Sequence, residues 1–270
     1  MPPAARSTHG GRLAGVVGVF AWGAAWAGAP VSNAFGPGEE TTYTVQFLGV
    51  TAGEAKVTVG WPTRRDGRAV WPLVCVGRTT GVATLYPLND RFVSYWDPLT
   101  GDAIASDFLA DENRKRRIER YQYDFVAMEA VTTKQSVGQA PRGGRYPIVA
   151  RTVDLASAAF RLRTSRLEVG QVHELPIFTG GGLYQMKATV VGAERLTTMF
   201  GEVEVFRVTV NGEFSGKMAT RGLMTLFFTA DDKQLPVRAE AEFVIGAVVL
   251  EAVRYEPGRT SSSLPSLSER

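Results

Sequence analysis

Thr41-Thr42-Tyr43-Thr44-Val45-Gln46-Phe47, followed after Leu48-Gly49 by Val50-Thr51-Ala52-Gly53-Glu54-Ala55-Lys56-Val57-Thr58-Val59, sets the reading of the whole chain. Tyr43, Val45 and Phe47 alternate with Thr42, Thr44 and Gln46, and Ala55, Val57 and Val59 resume the alternation beyond Gly49. A period of two puts successive side chains on opposite faces of an extended backbone, so the stretch predicts a strand, a turn and a strand.

The same pattern continues to Tyr255. Asp66-Gly67 and Asn211-Gly212 predict two-residue hairpins, because a type I′ turn needs positive φ at both central positions and these residues tolerate it. Asp97-Pro98, Thr100-Gly101, Gly180-Gly181-Gly182 and Asp231-Asp232-Lys233 mark further turns. Strands are predicted over 183–191, 203–210, 223–229, 236–244 and 248–255, with the short gaps of an antiparallel meander. Val203, Val205 and Val210 do not keep one parity, which predicts a bulge near Phe206. The stretch 141–147, rich in Gly and Arg between two prolines, reads as a loop.

One segment breaks the β pattern. Asp154 is a capping residue, and beyond it Leu155, Ala159 and Leu162 form a stripe in an Ala-rich run, so a short helix is predicted over Leu155–Thr164. It joins two β-rich halves. A twisted sheet of this many strands curls into a barrel or splits. The expected fold is therefore mainly β: an antiparallel curled sheet forming an open barrel or spiral, with one short helix near the middle.

The first residues have a separate purpose. Arg6 and Arg12 precede Leu13 to Ala29, 17 residues without a charge, which is the layout of a cleavable secretory signal peptide. A membrane-spanning helix wants about 20 strongly apolar residues, and this run is Gly- and Ala-rich and stops at Pro30. Pro30 blocks cleavage after Ala29, so Ser32-Asn33-Ala34 is the expected site. The expected organisation is a signal peptide over 1–34, one β-rich domain over 35–256, and a disordered Ser-rich tail over 257–270. The exported chain is expected to be periplasmic or otherwise outside the cytoplasm.

Residues 1–34 hold two of the 30 Lys and Arg and none of the 27 Asp and Glu, which leaves the remainder at a net charge of +1. That balance argues against a dedicated nucleic-acid binder, which concentrates a larger basic excess on one face. Cys75 is the one cysteine, so no disulfide forms within the chain. Flanked by Val74 and Val76, it reads as a buried, inert thiol on a strand.

A set of short motifs resembles a known family. Thr152-Val153-Asp154-Leu155-Ala156-Ser157-Ala158-Ala159-Phe160-Arg161-Leu162-Arg163, then Leu167-Glu168-Val169-Gly170-Gln171, Leu183-Tyr184, Val191-Gly192-Ala193-Glu194 and Gly201-Glu202-Val203-Glu204-Val205-Phe206-Arg207-Val208 resemble the bacterial domain-of-unknown-function family 3108. Gly38-Glu39-Glu40-Thr41-Thr42-Tyr43, Thr51-Ala52-Gly53-Glu54-Ala55, Asp90-Arg91-Phe92-Val93-Ser94-Tyr95, Leu235-Pro236-Val237-Arg238 and Ile245-Gly246-Ala247-Val248 extend the resemblance over 38–255. It implies an exported, β-rich envelope protein, similar in shape to spiral or open-barrel periplasmic folds such as the lipoprotein carriers. It implies no catalytic residue. Fold likeness carries no function by itself.

Chemistry-bearing motifs are sparse. Beyond the leader His173 is the one histidine, no Gly-x-Ser-x-Gly elbow accompanies it, and His173 and Cys75 stand nearly 100 residues apart, so neither a Ser-His triad nor a zinc site is expected. No cofactor is expected. Asp107, Asp111, Glu112, Asp231 and Asp232 are the acids that a carboxylate-dependent hydrolase of a cell-wall or surface polymer would draw on. Against this stands a non-enzymatic binding or envelope-integrity protein with an apolar cleft. Its partner would be a lipid, another apolar envelope component or an envelope protein. Tyr95, Trp96, Tyr121, Tyr123 and Tyr184 are its candidate lining residues, unless these aromatics simply fill the core. A scaffold with neither cleft nor groove is the remaining alternative.

Arg114-Lys115-Arg116-Arg117 is the most basic run. In the period-two reading Arg117, Glu119, Tyr121, Tyr123 and Phe125 share one face of a strand and Ile118, Arg120, Gln122 and Asp124 the other. The run reads as a solvated strand end near Asp107, Asp111 and Glu112. Its functional alternative is contact with anionic lipid head groups or lipopolysaccharide. Nucleic acid is not an expected partner.

Overall fold

The computed structural model describes residues 33–113, 115–212, 224–243 and 246–259. The predicted leader up to residue 32, Arg114 and the tail from residue 260 lie outside the described residues. Among those described, the period-two stretches form fifteen strands. The first half comprises β1 (Glu40–Phe47), β2 (Val50–Val59), β3 (Thr63–Arg65), β4 (Arg68–Thr79), β5 (Asn89–Trp96), β6 (Ala103–Glu112), β7 (Lys115–Asp124), β8 (Glu129–Ser136) and β9 (Arg142–Pro147). A helix, α1 (Leu155–Thr164), comes next. The second half comprises β10 (Val172–Thr179), β11 (Gly182–Thr198), β12 (Gly201–Asn211), β13 (Met224–Thr229), β14 (Pro236–Phe243) and β15 (Gly246–Glu256).

The strand order is β10-β11-β12-β13-β14-β15-β1-β2-β4-β5-β6-β7-β8-β9, with β3 paired to β4. The first and last strands are thus neighbours, Thr41 facing Tyr255 and Phe47 facing Val248. The two free edges, β9 and β10, flank the helix in sequence. The sheet is an antiparallel barrel left open at one seam. Side chains and one short bridge span that seam. Val153 pairs in parallel with Ile177, and the Tyr146 ring lies 5.8 Å from that of Phe178.

Turn chemistry behaves as the residues dictate. Asp66 and Gly67 take φ of 49° and 78° between Arg65 and its partner Arg68, and Gly180 and Gly181 take 62° and 86° between Thr179 and its partner Gly182. These are the left-handed conformations that Gly and Asp tolerate.

The helix lies inside the curl. Asp154 accepts from the Ser157 backbone N–H at 2.8 Å while Ser157 Oγ accepts from the Asp154 N–H at 3.0 Å, a reciprocal cap. Phe160 packs with Phe35, Val59, Trp71, Leu73 and Trp96. Ala158 and Leu162 pack with Leu175, Ile177, Met186, Val208 and Phe228. Of the predicted Leu155/Ala159/Leu162 stripe only Leu162 is fully buried: Leu155 is 39% exposed and Ala159 half-buried, while Arg161 and Arg163 are buried. Only in its first turn does the helix carry an exposed residue, so the charges of its last turn must find partners inside the sheet.

Three other expectations are corrected. Residues 142–147 form the edge strand β9 and not a loop, pairing Lys134 with Arg142 and Glu129 with Pro147. Pro147 sits at the strand's last position, where a missing N–H is tolerated. Asn211-Gly212 is not a two-residue hairpin, because Val210 pairs with Met224; most of that connection lies outside the described residues. The parity break in β12 needs no bulge there. Val205 faces a cluster with Tyr43, Phe227, Leu235 and Val237, while Val208 and Val210 face the helix side, so both faces are buried. The register shift falls on the neighbouring strand, between Val190 and Gly192.

Candidate ligand site

The aromatic residues singled out by sequence are dispersed. Trp96 is 1% exposed, edge-on to Phe35 at 6.0 Å. Tyr121 and Tyr123 are buried with their rings 5.9 and 6.1 Å from Phe178, and the Tyr123 hydroxyl lies 3.2 Å from that of Ser106. Tyr95 is half-buried and donates to Asp107 at 3.0 Å beneath the Arg65 guanidinium. Tyr184 is half-buried on β11 opposite Ile177. Three of the five stand in packed clusters, and no one cleft gathers the set.

The basic run is screened by its neighbours. Lys115 and Arg116 are exposed, and Arg116 pairs with Asp111 at 2.8 Å. Arg117 turns inward to Glu119 at 2.6 Å, joined by Lys134 at 2.8 Å and by the Tyr121 hydroxyl, which donates to the same carboxylate. Burial would raise the Glu119 carboxyl, but the Lys134 and Tyr121 hydrogen bonds and the Lys134 and Arg117 charges outweigh it and leave it lowered. Glu119, Tyr121, Lys134 and Tyr146 border a shallow depression of about 140 Å³ at the seam.

The acids do not converge. Asp107, Asp111 and Glu112 lie on β6, and five strands separate it in the sheet order from β14, beside which Asp231 and Asp232 sit. Asp231 is committed to its turn, accepting from Thr229 Oγ1 at 2.6 Å and from the Lys233 and Gln234 N–H groups at 3.1 Å. Among the described residues no group of three His, Cys, Asp or Glu could hold a metal ion.

A cleft with largely apolar walls was not anticipated. It encloses about 430 Å³ between the β11–β12 turn, the β13–β14 turn and the end of β15. Phe200, Val203, Leu235 and Tyr255 form its walls and Lys233 its cationic edge. Phe200 is held at the hairpin tip by its N–H donating to Thr198 Oγ1 at 3.1 Å, and it meets Tyr255 edge-on at 5.9 Å. The Lys233 ammonium lies 5.1 Å from the centre of the Tyr255 ring, within cation–π range.

A buried network fixes these walls. Arg163, on the helix, donates to Glu39 through Nη1 at 2.5 Å, to the Ala34 carbonyl through Nη2 at 2.9 Å and to the Lys233 carbonyl through Nε at 3.1 Å. The Tyr255 hydroxyl donates to the same Glu39 at 3.3 Å. Burial and the nearby Glu39 carboxylate push the Tyr255 phenol well up, so it stays protonated and able to donate. Gln234 donates to the Arg163 and Ser165 carbonyls at 2.9 and 2.6 Å, tying the β13–β14 turn to the end of the helix.

The one sequence signal for this cleft was an aromatic in a turn. Phe200 follows Met199 between two β runs and is 48% exposed, where a buried Phe would have been the rule. Tyr255 and Lys233 read only as a strand end and a turn. The cleft offers apolar surface, the Lys233 ammonium and two carboxylates, Asp231, which is committed to its turn, and the exposed Glu204.

Comparisons with known proteins agree with this architecture. A search of the curated proteins found no match. Among solved structures, a β-barrel-like protein of domain of unknown function DUF1849 from Brucella abortus is similar over 82% of this chain and 98% of its own, with a TM-score of 0.51 at 9% identity. A candidate exported protein with a YmcC-like fold from Bacteroides fragilis aligns over 84% of this chain and 99% of its own at 9% identity, with a TM-score of 0.37. The first likeness shows a shared β-barrel-like fold. The family described as "Protein of unknown function (DUF3108)" matches residues 42–253, and the chain belongs to it.

Proposed function

We propose that this is an exported, non-enzymatic protein of the cell envelope that binds an apolar chain. Export is supported by the charge-free Leu13–Ala29 run behind two arginines. The observation that carries the binding reading is the Phe200/Tyr255 cleft, about 430 Å³ of largely apolar wall with Lys233, Asp231 and Glu204 at its rim. That size falls within the range of small-molecule sites, about 300–1,000 Å³. Each CH₂ of an acyl chain placed there gains about 0.8 kcal/mol. The separation of Asp107, Asp111 and Glu112 from Asp231 and Asp232 does not favour the carboxylate-hydrolase reading.

The test is a titration with a fluorescent fatty acid, paired with native mass spectrometry of protein purified from the envelope. Saturable binding is expected, weakened about tenfold or more in Phe200→Ser, since losing the burial of an aromatic wall costs about 1.5–3 kcal/mol. Absence of both saturable binding and a retained lipid overturns the reading.

A further inference from the structure

A second cavity, of about 470 Å³, opens where the turn 149–152 meets β10, on the side of the helix away from Glu39. Arg151, Arg161, His173 and Gln185 line it together with Val172 and Leu175. We propose that this cavity binds an oxyanion, a carboxylate or a phosphate, between the guanidinium of Arg151 and the Arg161/His173 wall.

Arg161 is fixed before any ligand arrives. Its side chain is 7% exposed; Nη1 donates to the Arg151 carbonyl at 3.1 Å, and Nη2 donates to the Gly101 carbonyl and to Asp102 at 2.9 Å. Its Nε is shielded from solvent and has no partner, and the same is true of His173 Nε2. Buried polar atoms of this kind are rare in folded proteins and ask for a partner that protein atoms do not supply. Arg151 is exposed and forms no ion pair among the described residues. It stands at φ 63°, a conformation that costs a non-glycine side chain energy and is concentrated at working sites.

The charges leave room for one negative group. Asp102 offsets Arg161, and Lys187 stands 3.9 Å from Glu174, the acid on the cavity wall. Arg151 is left over, near enough to Arg161 for the two cations to oppose each other. Burial lowers the His173 pKa, so the imidazole is neutral at pH 7 and adds a polar group without a charge. This site shares no residue with the Phe200/Tyr255 cleft and stands whether or not that cleft binds lipid.

His173 reports on its own site. The chain holds two histidines, His9 and His173, and the His173→Gln variant assigns the resonance in untagged protein. Inorganic phosphate and acetate, titrated at constant ionic strength against chloride, should shift the His173 C2–H signal saturably and raise its titration midpoint, because an adjacent anion favours imidazolium. Arg151→Gly removes the cation while suiting φ 63°, so it should fold as well as the parent or better and weaken the anion at least about tenfold. Phosphatidylglycerol and phosphatidylcholine vesicles form a second arm. A response to the former alone makes the anion a lipid head group, and a response to phosphate or acetate makes it a free one. No saturable shift in either arm, or an equal shift in Arg151→Gly, overturns the proposal.

Discussion

The Arg163 guanidinium and the Glu39 carboxylate meet at 2.5 Å across 124 residues of chain, with side chains 2% and 4% exposed. The contact fastens the N-terminal segment to the helix inside the barrel and, through Tyr255, to the last strand. Removing one partner leaves a charge buried without its counterion, which costs about 3–5 kcal/mol. Arg163→Met and Glu39→Gln should each lower the thermal midpoint by roughly 10 °C, at about 2–4 °C per kcal/mol for a domain of this size. The double replacement should lose less than the sum of the two. Circular-dichroism melts of the three variants check this, and additive losses would show that the pair is not coupled.

Glu119 makes acid stability sensitive to one residue. Its carboxyl is held below 4.5 in the folded protein, burial opposing and the Lys134 and Tyr121 contacts prevailing. A depressed folded pKa means that ionised Glu119 adds stability above its unfolded pKa and loses that contribution as pH falls through the folded one. Burial raises Asp154 and Asp90, which therefore favour the folded state on the acid side and partly mask the effect. The difference between the parent and Glu119→Gln isolates it. In urea titrations the parent's advantage should be full at about pH 6 and shrink between about pH 5 and 3.

Cys75 should be unreactive in the native state. The Cys75 residue is half-buried on β4 and not fully enclosed as its valine neighbours suggested, and desolvation, aided by the Asp154 charge, pushes the thiol from 9.0 up to about 12. Because the thiolate is the nucleophile, its fraction at pH 8 falls about a thousandfold. A disulfide reagent should label the folded protein at least about a hundredfold more slowly than the same protein in guanidinium chloride.

The proposed export should involve processing that spares Ala34, against the cleavage after it that the Ser32-Asn33-Ala34 motif suggests. Its carbonyl accepts from Arg163 at 2.9 Å, and Phe35 packs at 4.7 Å against Phe160. Cleavage after Ala34 would remove that acceptor and set a new ammonium beside the Phe35 ring, whose centre lies 5.1 Å from the Arg163 guanidinium. N-terminal sequencing of the envelope form should find a start upstream of Ala34. A start at Phe35 would require Arg163 to find another acceptor.

The strands, most turns and the helix were legible because their signals are local. Period-two alternation, Asp-Gly and Gly-Gly turns, and the Asp154 cap each depend on a few adjacent residues. β9 was missed because its glycines and flanking prolines look like a loop; pairing with β8 makes it a strand. The helix's buried face was misjudged because Arg161 and Arg163 belong inside only once Asp102 and Glu39, remote in sequence, are brought to them. The Phe200/Tyr255 cleft was hidden for the same reason. Its walls come from two turns and a strand end, and no spacing along the chain announces that they meet.

The pairing of β1 with β15 also governs time. Glu40 faces Glu256 and Phe47 faces Val248, so one side of the first strand stays without its neighbour until nearly the whole chain has been made. Contacts this distant in sequence form slowly, because the entropy of closing so long a loop comes before any reward. The barrel cannot be completed while its end is still on the ribosome, so its closing pair is among the last contacts to form.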